Sequence, residues 1–425
     1  MLYKIKHQYI PVAKSLIILG LAVLAVFLTT RLWFVHIPNH SFVPYVRARF
    51  APTIADEVAG LVRPFRVIQG SGDGYFAIRY YDIANAPQWR YGRAVITHAL
   101  ESHSFVGSAE TDMARFLDAP VLIFEYAFYM DSAIFAQALG HRTGAVLTDR
   151  GLTNFHAIAV SPPYAGQTVL NLFFIGKTYT WEFAITVQPG NFAFDIQSAR
   201  AEPHHFVMVD GLFESRLTRH LPHHPVRVTN PYHNHAGHLN LGHIRSEIAH
   251  FFANPATINQ GVSARNVYTF SNMSTAVRYL PWDVIEYTSF RTVGRTSTRF
   301  VTDFSAAYAF VAADPNMRNS FFLAAYDETP LERIFWFGYT AGNFPLVLAE
   351  PWYTGPECDN PLIYPIEVTV ADGRVIRYRK IAHNFELDTQ AAALFHVPDL
   401  GSGELGYIIG RRSLLRPHIS LQTIR

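Results

Sequence analysis

The chain has 425 residues but only one cysteine, Cys358, so no disulfide bond can form within it. A small disulfide-stapled scaffold is therefore excluded, and core packing must hold the body together. Charged residues are also few, at 16% against 49% hydrophobic residues, which excludes general disorder. What remains is a globular protein rich in aromatic residues, with 33 Phe, 22 Tyr and 6 Trp.

Acidic residues are missing from the start of the chain, where Asp56 is the first. The first 35 residues carry only the basic side chains Lys4, Lys6, Lys14 and Arg31. The remainder holds all 33 acidic residues against 29 Arg and 2 Lys, so it is nearly neutral. A nearly neutral body has no basic face for phosphates, and nucleic acid is excluded as a partner.

Charge is also absent from Ser15–Thr30, which reads SLIILGLAVLAVFLTT. Sixteen residues at about 1.5 Å each span about 24 Å, and the flanking apolar residues extend this toward the ~30 Å of a bilayer core. We predict a transmembrane signal anchor over 15–35 that contacts the lipid bilayer, after a cytoplasmic basic head over 1–14. The bulk of the chain would then be extracytoplasmic. The rival interpretation is a cleaved signal peptide, although no small-x-small cleavage site follows the apolar run.

Beyond the anchor, the hydrophobic pattern mostly has a period of two residues, which is typical of strands. The predicted fold class is β-rich α+β, with a single N-terminal transmembrane helix followed by two sheet-based, sandwich-like extracytoplasmic units. The first β-rich domain is predicted over 36–200 and the second over 244–425. Between them, 201–243 is rich in His and Pro and is predicted to be a linker or long loop.

Three strand signals stand out. Tyr179–Val187 alternates large apolar and polar side chains, which predicts a strand with one buried face. The runs on either side of Asp372-Gly373 predict a hairpin, because Asp-Gly suits a type I′ turn. Thr296–Phe304 also predicts a strand, paired with the one that begins at Val284. A helix is predicted over Leu241–Phe252.

The helix over Leu241–Phe252 carries a candidate metal site. His243, Glu247 and His250 stand at i, i+4 and i+7, so they share one stripe of its surface. Two imidazoles and a carboxylate on one stripe would bind a divalent metal such as Zn. The order is not H-E-x-x-H, so the stripe does not indicate a zinc metalloprotease of that class. Alternatively, this stripe is the solvent-exposed polar face of an amphipathic helix.

The segment upstream is crowded with histidine, ten of which lie between His204 and His250. His233, His235 and His238 have spacing like that of metal ligands and are candidate binding residues. Histidine titrates near pH 6.5, so an alternative for the same residues is an acid response that loosens the junction of the two halves.

Aromatic side chains in the second half suggest a second candidate binding surface. Trp282, Trp352 and Tyr353 lie near prolines and turns, where exposed rings would stack on sugars. Glu125 and Glu182 are candidates for a carboxylate pair of a glycosidase.

No sequence motif that is typical of a defined reaction lies in the structural context that the reaction requires. Gly401–Gly406 matches G-x-G-x-x-G but precedes a predicted strand instead of opening a helix. The sequence therefore favours a single-pass extracytoplasmic protein that binds other membrane or envelope proteins in assembly or attachment. The alternatives are a membrane-anchored metal-dependent hydrolase or glycosidase, and an accessory subunit of a larger membrane complex.

Overall fold

The computed structural model describes most of the body of the protein. The predicted head and anchor lie outside the described residues, as do His235, Tyr353 and Cys358. No helix within the described residues is long and apolar enough to cross a membrane. The described ranges are 63–79, 87–102, 105–139, 145–163, 168–187, 206–209, 212–215, 220–223, 226–234, 236–290, 299–317, 320–341, 344–348, 351–352, 361–387, 393–396, 404–413 and 416–424.

Strands dominate the described body and helices are few, so the prediction of a β-rich fold is confirmed. The helices are α1 (Pro87–Ser102), α2 (Ser132–Ala138), α3 (Ala145–Thr148), α4 (Leu241–Ile248) and α5 (Phe300–Ala312), with 3₁₀ turns at Met113–Phe116, Ala249–Phe251 and Pro255–Thr257.

The strands of the first half form one nine-stranded antiparallel sheet in the order β3-β7-β6-β5-β4-β1-β2-β8-β9. Its centre is the twelve-residue strand β4, of which Val121–Phe124, Tyr126 and Met130 are buried. The strands of this sheet are β1 (Arg66–Ser71), β2 (Tyr75–Arg79), β3 (Phe105–Glu110), β4 (Pro120–Asp131), β5 (Asn154–Ser161), β6 (Val169–Ile175), β7 (Tyr179–Thr186), β8 (Phe206–Val209) and β9 (Leu212–Ser215).

Four short strands pair outside the two large sheets. Strands β10 (His220–His223) and β22 (Ala393–His396) form one pair, and β11 (Val226–Thr229) and β21 (Asn384–Leu387) form another. Strands β8, β9, β10 and β11 all lie inside 201–243, the segment predicted to be a linker or long loop. The backbone of that segment pairs with other strands, which is how it satisfies its hydrogen bonds. The domain boundaries themselves stay a prediction.

The second half forms an eleven-stranded sheet in the order β12-β13-β14-β15-β20-β19-β17-β18-β23-β24, with β16 also paired to β17. Strands β18 and β23 pair in parallel, whereas the other pairs are antiparallel. The bounds are β12 (Asn259–Val262), β13 (Tyr268–Ser271), β14 (Thr275–Leu280), β15 (Val284–Ser289), β16 (Ser320–Glu328), β17 (Arg333–Ala341), β18 (Phe344–Leu348), β19 (Ile366–Ala371), β20 (Arg374–Ile381), β23 (Glu404–Ser413) and β24 (Arg416–Ile424).

The structure agrees with two of the three local strand predictions and differs from the third. Residues 179–186 form β7, as expected. The β19–β20 hairpin turns at Asp372 and Gly373, whose φ angles of 53° and 68° are those that a type I′ turn requires. The strand expected over Thr296–Phe304 is wrong, because helix α5 begins at Phe300. Phe300, Phe304, Ala307 and Val311 recur at a helical period, and all four are buried.

The two sheets share one hydrophobic core, which includes buried residues of both halves. Aromatic rings make direct contacts across the junction. Phe128 of β4 meets Tyr326 of β16 edge-on at 5.4 Å between ring centroids, and the ring of Phe65 lies 5.7 Å from that of Phe322. The halves are therefore joined by apolar packing at these points.

A row of alternating charge runs across one face of the second sheet. Arg278 lies opposite Glu286, which lies opposite Arg379, which in turn lies opposite Glu367. The Arg379 side chain is wholly buried and donates to Glu367 Oε1 at 3.1 Å. Trp336 Nε1 ends the row by donating to Glu367 Oε2 at 3.0 Å. Directly opposed, opposite charges stabilise neighbouring strands and fix their register.

We predict that Glu286→Gln lowers the free energy of unfolding by about 3–5 kcal/mol at pH 7, because it removes the charge of a buried carboxylate that pairs with Arg278 and Arg377. Burial alone would raise the pKa of Glu286, but Arg278 and Arg377 outweigh it and hold the pKa below its ordinary value. The stabilisation is therefore present above the unfolded pKa of about 4.3 and is lost as the pH falls through the folded value.

Urea denaturation of the full chain in detergent, at pH 7 and at pH 3.5, measures this difference. The matched control is Glu101→Gln, which changes an exposed carboxylate and should alter stability by less than about 0.5 kcal/mol. Equal stability of the two variants at pH 7 would show that the charge row contributes little.

Candidate functional site

The most unusual backbone in the described body is the turn between β14 and β15. Trp282 and Asp283 have φ angles of 69° and 58°, a left-handed conformation that costs about 1–3 kcal/mol for each non-glycine residue. Two hydrogen bonds hold the turn. Trp352 Nε1 donates to Trp282 O at 2.7 Å, and Ala382 N donates to Asp283 O at 2.7 Å. Strain that surrounding contacts maintain is a common feature of functional sites.

The turn places the carboxylate of Asp283 among three polar side chains. Tyr279 donates its hydroxyl to Asp283 Oδ1, and His383 Nε2 lies 3.3 Å from Oδ2. His233 Nε2 lies 3.6 Å from Oδ1, within the range of an ion pair. We call these four residues the Asp283 cluster. His233 keeps 22% of its side-chain surface exposed, so the cluster meets solvent at this residue.

The carboxylate of Asp283 is negatively charged at neutral pH. Burial alone would raise the pKa of Asp283, but contacts with His233, His383 and Tyr279 outweigh it and hold the pKa well below its ordinary value. Burial and the neighbouring carboxylate raise the pKa of Tyr279, which therefore remains a hydrogen-bond donor. Asn230 Nδ2 donates to the Tyr279 hydroxyl at 2.9 Å and completes its contacts.

In the Asp283 cluster, one carboxylate orients two imidazole rings. His383 is almost wholly buried, and its Nδ1 has no hydrogen-bond partner within the described part of the chain. A carboxylate that fixes one ring nitrogen leaves the other as a proton acceptor. The arrangement therefore orients both rings and locks the turn against the segment that follows β20.

A second buried charge lies nearby, at the end of α5. Asp314 Oδ2 accepts from Lys380 Nζ at 2.6 Å and from the Tyr378 hydroxyl at 3.1 Å, and Oδ1 faces His250 Nε2 at 3.4 Å. We call these four residues the Asp314 cluster. Burial lowers the pKa of Lys380, and Asp314 opposes that shift. The ring of Tyr232 lies between the two clusters, 5.9 Å from Lys380 Nζ.

Three of the candidate binding residues come together at the Asp283 cluster. His233 contacts Asp283, Trp282 forms part of the turn, and Trp352 holds that turn. His238 lies instead in an exposed loop, where its backbone N–H donates to Asn234 Oδ1 at 2.9 Å. His235 and Tyr353 are outside the described residues.

The predicted helix of the metal stripe forms as α4 and the 3₁₀ turn that follows it, with Asn240 as its N-cap. His243 Nε2 lies 2.9 Å from Pro231 O, and His250 Nδ1 lies 2.9 Å from the backbone oxygen of Glu247. In the parts of the chain that the structure describes, no three His, Cys, Asp or Glu side chains form a group that could hold a metal ion. A ligand role for the stripe stays a prediction.

Sequence reasoning missed Asp283, Asp314, Lys380 and His383. One signal was available. Lys380 is one of only two lysines beyond the predicted anchor, in a body where Arg is the common cation. A compact ammonium group fits a buried site whose pKa shifts, whereas a guanidinium stays charged and needs more partners.

The comparisons with known proteins identify a fold and no family. A solved structure, YycH from Bacillus subtilis, matches with a TM-score of 0.50 and 11% sequence identity, covering 86% of this chain and 95% of that chain. At this identity the likeness shows the fold alone. No family model matches the sequence, and no curated protein matches it.

We predict that Asp283→Asn destabilises the protein by about 3–5 kcal/mol at pH 7, because it removes the anion that the buried His383 ring faces. Thermal unfolding of the full chain in detergent measures the effect. Asp149→Asn, at an exposed carboxylate, is the matched control and should leave the midpoint unchanged. If both variants unfold at the same midpoint temperature as the wild type, the Asp283 carboxylate does not stabilise the turn.

Proposed function

We propose that this chain is a single-pass membrane protein whose extracytoplasmic β-rich body works by binding other membrane or envelope proteins. The uncharged run Ser15–Thr30 after a basic head supports the anchor and its orientation. The large body with its shared core supports a folded domain beyond that anchor. The likeness in fold to YycH extends over most of the chain and supports one continuous body of this size.

One observation carries the binding role, namely the open edge of the nine-stranded sheet. Strand β3 ends the strand order, and none of the described strands pairs with its outer side. Most of its residues are exposed, and Val106 shows 61% of its surface. Tyr179 of the neighbouring strand β7, opposite Glu110 at the far end of β3, is 49% exposed.

An exposed edge strand presents free backbone N–H and C=O groups, which natural proteins usually protect. Neither proline nor lysine blocks the edge in β3, and the irregularity of the strand is confined to Val106, where its pairing with β7 shifts by one residue. An extended segment of a partner protein can therefore add to β3 as a further strand, with main-chain hydrogen bonds for affinity and Val106 for side-chain contact. This mode of binding suits assembly within an envelope.

The anchor is tested by cysteine labelling in intact cells, after Cys358→Ser removes the native thiol. Lys6→Cys should resist a membrane-impermeant maleimide, and Asp149→Cys should react, because the first residue is cytoplasmic and the second is exposed on the extracytoplasmic body. Labelling at position 6 with protection at position 149 would reverse the proposed orientation.

The binding edge is tested by a photo-crosslinking side chain placed at position 106 in native membranes. We expect a discrete higher-mass adduct, because a strand added to β3 would bring the partner against this side chain. The matched control is position 273, since Met273 is also an exposed apolar residue but lies at a hairpin of the second sheet.

A second variant distinguishes strand addition at β3 from nonspecific hydrophobic contact. Val106→Lys should reduce the adduct from a crosslinker at Ala109 at least about tenfold, because a charge disfavours strand addition. Met273→Lys should leave that adduct unchanged. Equal adducts from positions 106 and 273, or no adduct at position 106, would remove the edge as the binding surface.

A further inference from the structure

Strand β3 turns the backbone groups of alternate residues toward its open side. Thr111 N donates to Thr178 O, just before β7, at 3.0 Å, so the N–H of Thr111 points toward β7. Successive residues of an antiparallel strand point their N–H and C=O groups in opposite directions. The backbone groups of Ala109 therefore also point toward β7, whereas those of Ser108 and Glu110 point outward.

These outward backbone groups define a short binding site. The pairing of β3 with β7 shifts at Val106 and is regular from Gly107 to Glu110. A bulge bends its strand and interrupts the regular spacing of the backbone groups. A strand added to the regular part therefore meets the outward groups of Ser108 and Glu110, about 7 Å apart. If it runs antiparallel, it exchanges two backbone hydrogen bonds with each of these residues.

The charged side chains along this site are acidic. Residues 105–112 carry Glu110 and Asp112 and no basic side chain. Asp112 is engaged locally, since its carboxylate accepts from Ala114 N at 2.9 Å. Glu110 is exposed, and no hydrogen bond or ion pair joins its side chain to another described residue. A lysine or arginine directly opposite Glu110 would pair with its carboxylate, whereas an acidic residue there would be repelled.

Small residues line the other face of the site. A Cβ added at Gly107 would meet nothing within 4 Å, and Ala109, two residues on, is exposed. On β7, Glu182 lies opposite Gly107 and pairs with Arg115 at 3.1 Å. A partner residue opposite Ala109 approaches closely, because that pair is not hydrogen-bonded. A large apolar side chain at this position would cover both small residues, as aromatic side chains do for glycines of edge strands.

We infer that the partner segment added to β3 runs antiparallel and carries a lysine or arginine opposite Glu110, followed at once by a large apolar residue opposite Ala109. The order follows from antiparallel pairing, in which the next residue of the partner lies opposite the preceding residue of β3. An acidic residue at the first position excludes a segment by repulsion, which gives the edge its specificity. This inference rests on the proposed binding role of β3 and adds the chemistry of the partner.

Photo-crosslinking of the purified full chain in detergent to short synthetic peptides tests this pattern. The crosslinking side chain stands at position 106, and a second preparation with it at position 273 gives the background. One peptide consists of threonine and serine around a central lysine followed by phenylalanine, and the other has glutamate in place of that lysine. With peptide limiting, the lysine peptide should give at least about threefold more adduct, because its charge meets Glu110. Replacing its phenylalanine with glycine should lower the adduct by about the same factor.

Charge reversal at position 110 provides the decisive comparison. Glu110→Lys should reverse the order of the lysine and glutamate peptides, because the lysine of the peptide then faces another lysine. Asp327→Lys, which reverses an exposed carboxylate on β16, is the matched control and should leave the order unchanged. Equal adducts from the two peptides, no adduct from either, or an order that Glu110→Lys does not change would overturn the inference.

A measurement with the native residue at position 110 covers the case in which Glu110→Lys does not fold. Raising the salt from about 0.05 M to about 1 M should bring the ratio of the two adducts toward one, because salt screens exposed charges. A ratio that salt leaves unchanged would contradict the assigned pairing. If position 106 still gives an adduct in native membranes but the peptides show no preference, the binding edge stands and this inference fails. Loss of both adducts would remove the edge itself.

Discussion

The second half of the body depends on one constraint, that every buried carboxylate must meet a partner from a different element. Asp314 joins the end of α5 to β20 through Lys380. Asp303 joins the start of the same helix to β17 through Arg333 and accepts from Gly373 N at 2.8 Å. A lone buried charge costs several kcal/mol, so each pair permits only an arrangement in which both partners arrive together. Charge pairing thus selects the packing of α5 on the sheet, and the apolar core stabilises it.

Local features of this fold could be predicted because their cause is local. The alternation of Tyr179–Thr186 favours a strand, which forms as β7 with Phe183 and Ile185 buried, and Asp372-Gly373 accepts positive φ at low cost. Residues 299–304 show the limit of such reasoning. Aromatic and β-branched residues there favour a strand, but the buried residues recur at a helical period that becomes clear only over the full length of α5.

The candidate site could be predicted only in part, for a physical reason. The histidine spacing predicts His233 as a binding residue, the nearby prolines and turns predict Trp282 and Trp352, and the structure brings all three to one turn. Their partners Asp283 and His383 are 100 positions apart, and only the pairing of β15 with β20 brings these positions together. A strand register is decided by long-range packing, so no short motif carries it. The positive φ of the turn leaves no signature either, since neither residue is Gly or Asn.

The two clusters hold their buried carboxylates with different partners, and the Tyr232 ring contacts both, at 5.6 Å from the Tyr279 ring and 5.9 Å from Lys380 Nζ. In the Asp283 cluster, the carboxylate faces two imidazoles and a phenol, which fix the strained turn between β14 and β15. In the Asp314 cluster, Lys380 neutralises the carboxylate and joins β20 to the end of α5. Because the partners of each carboxylate come from separate elements, neither cluster can open without leaving a buried charge unpaired, which costs several kcal/mol.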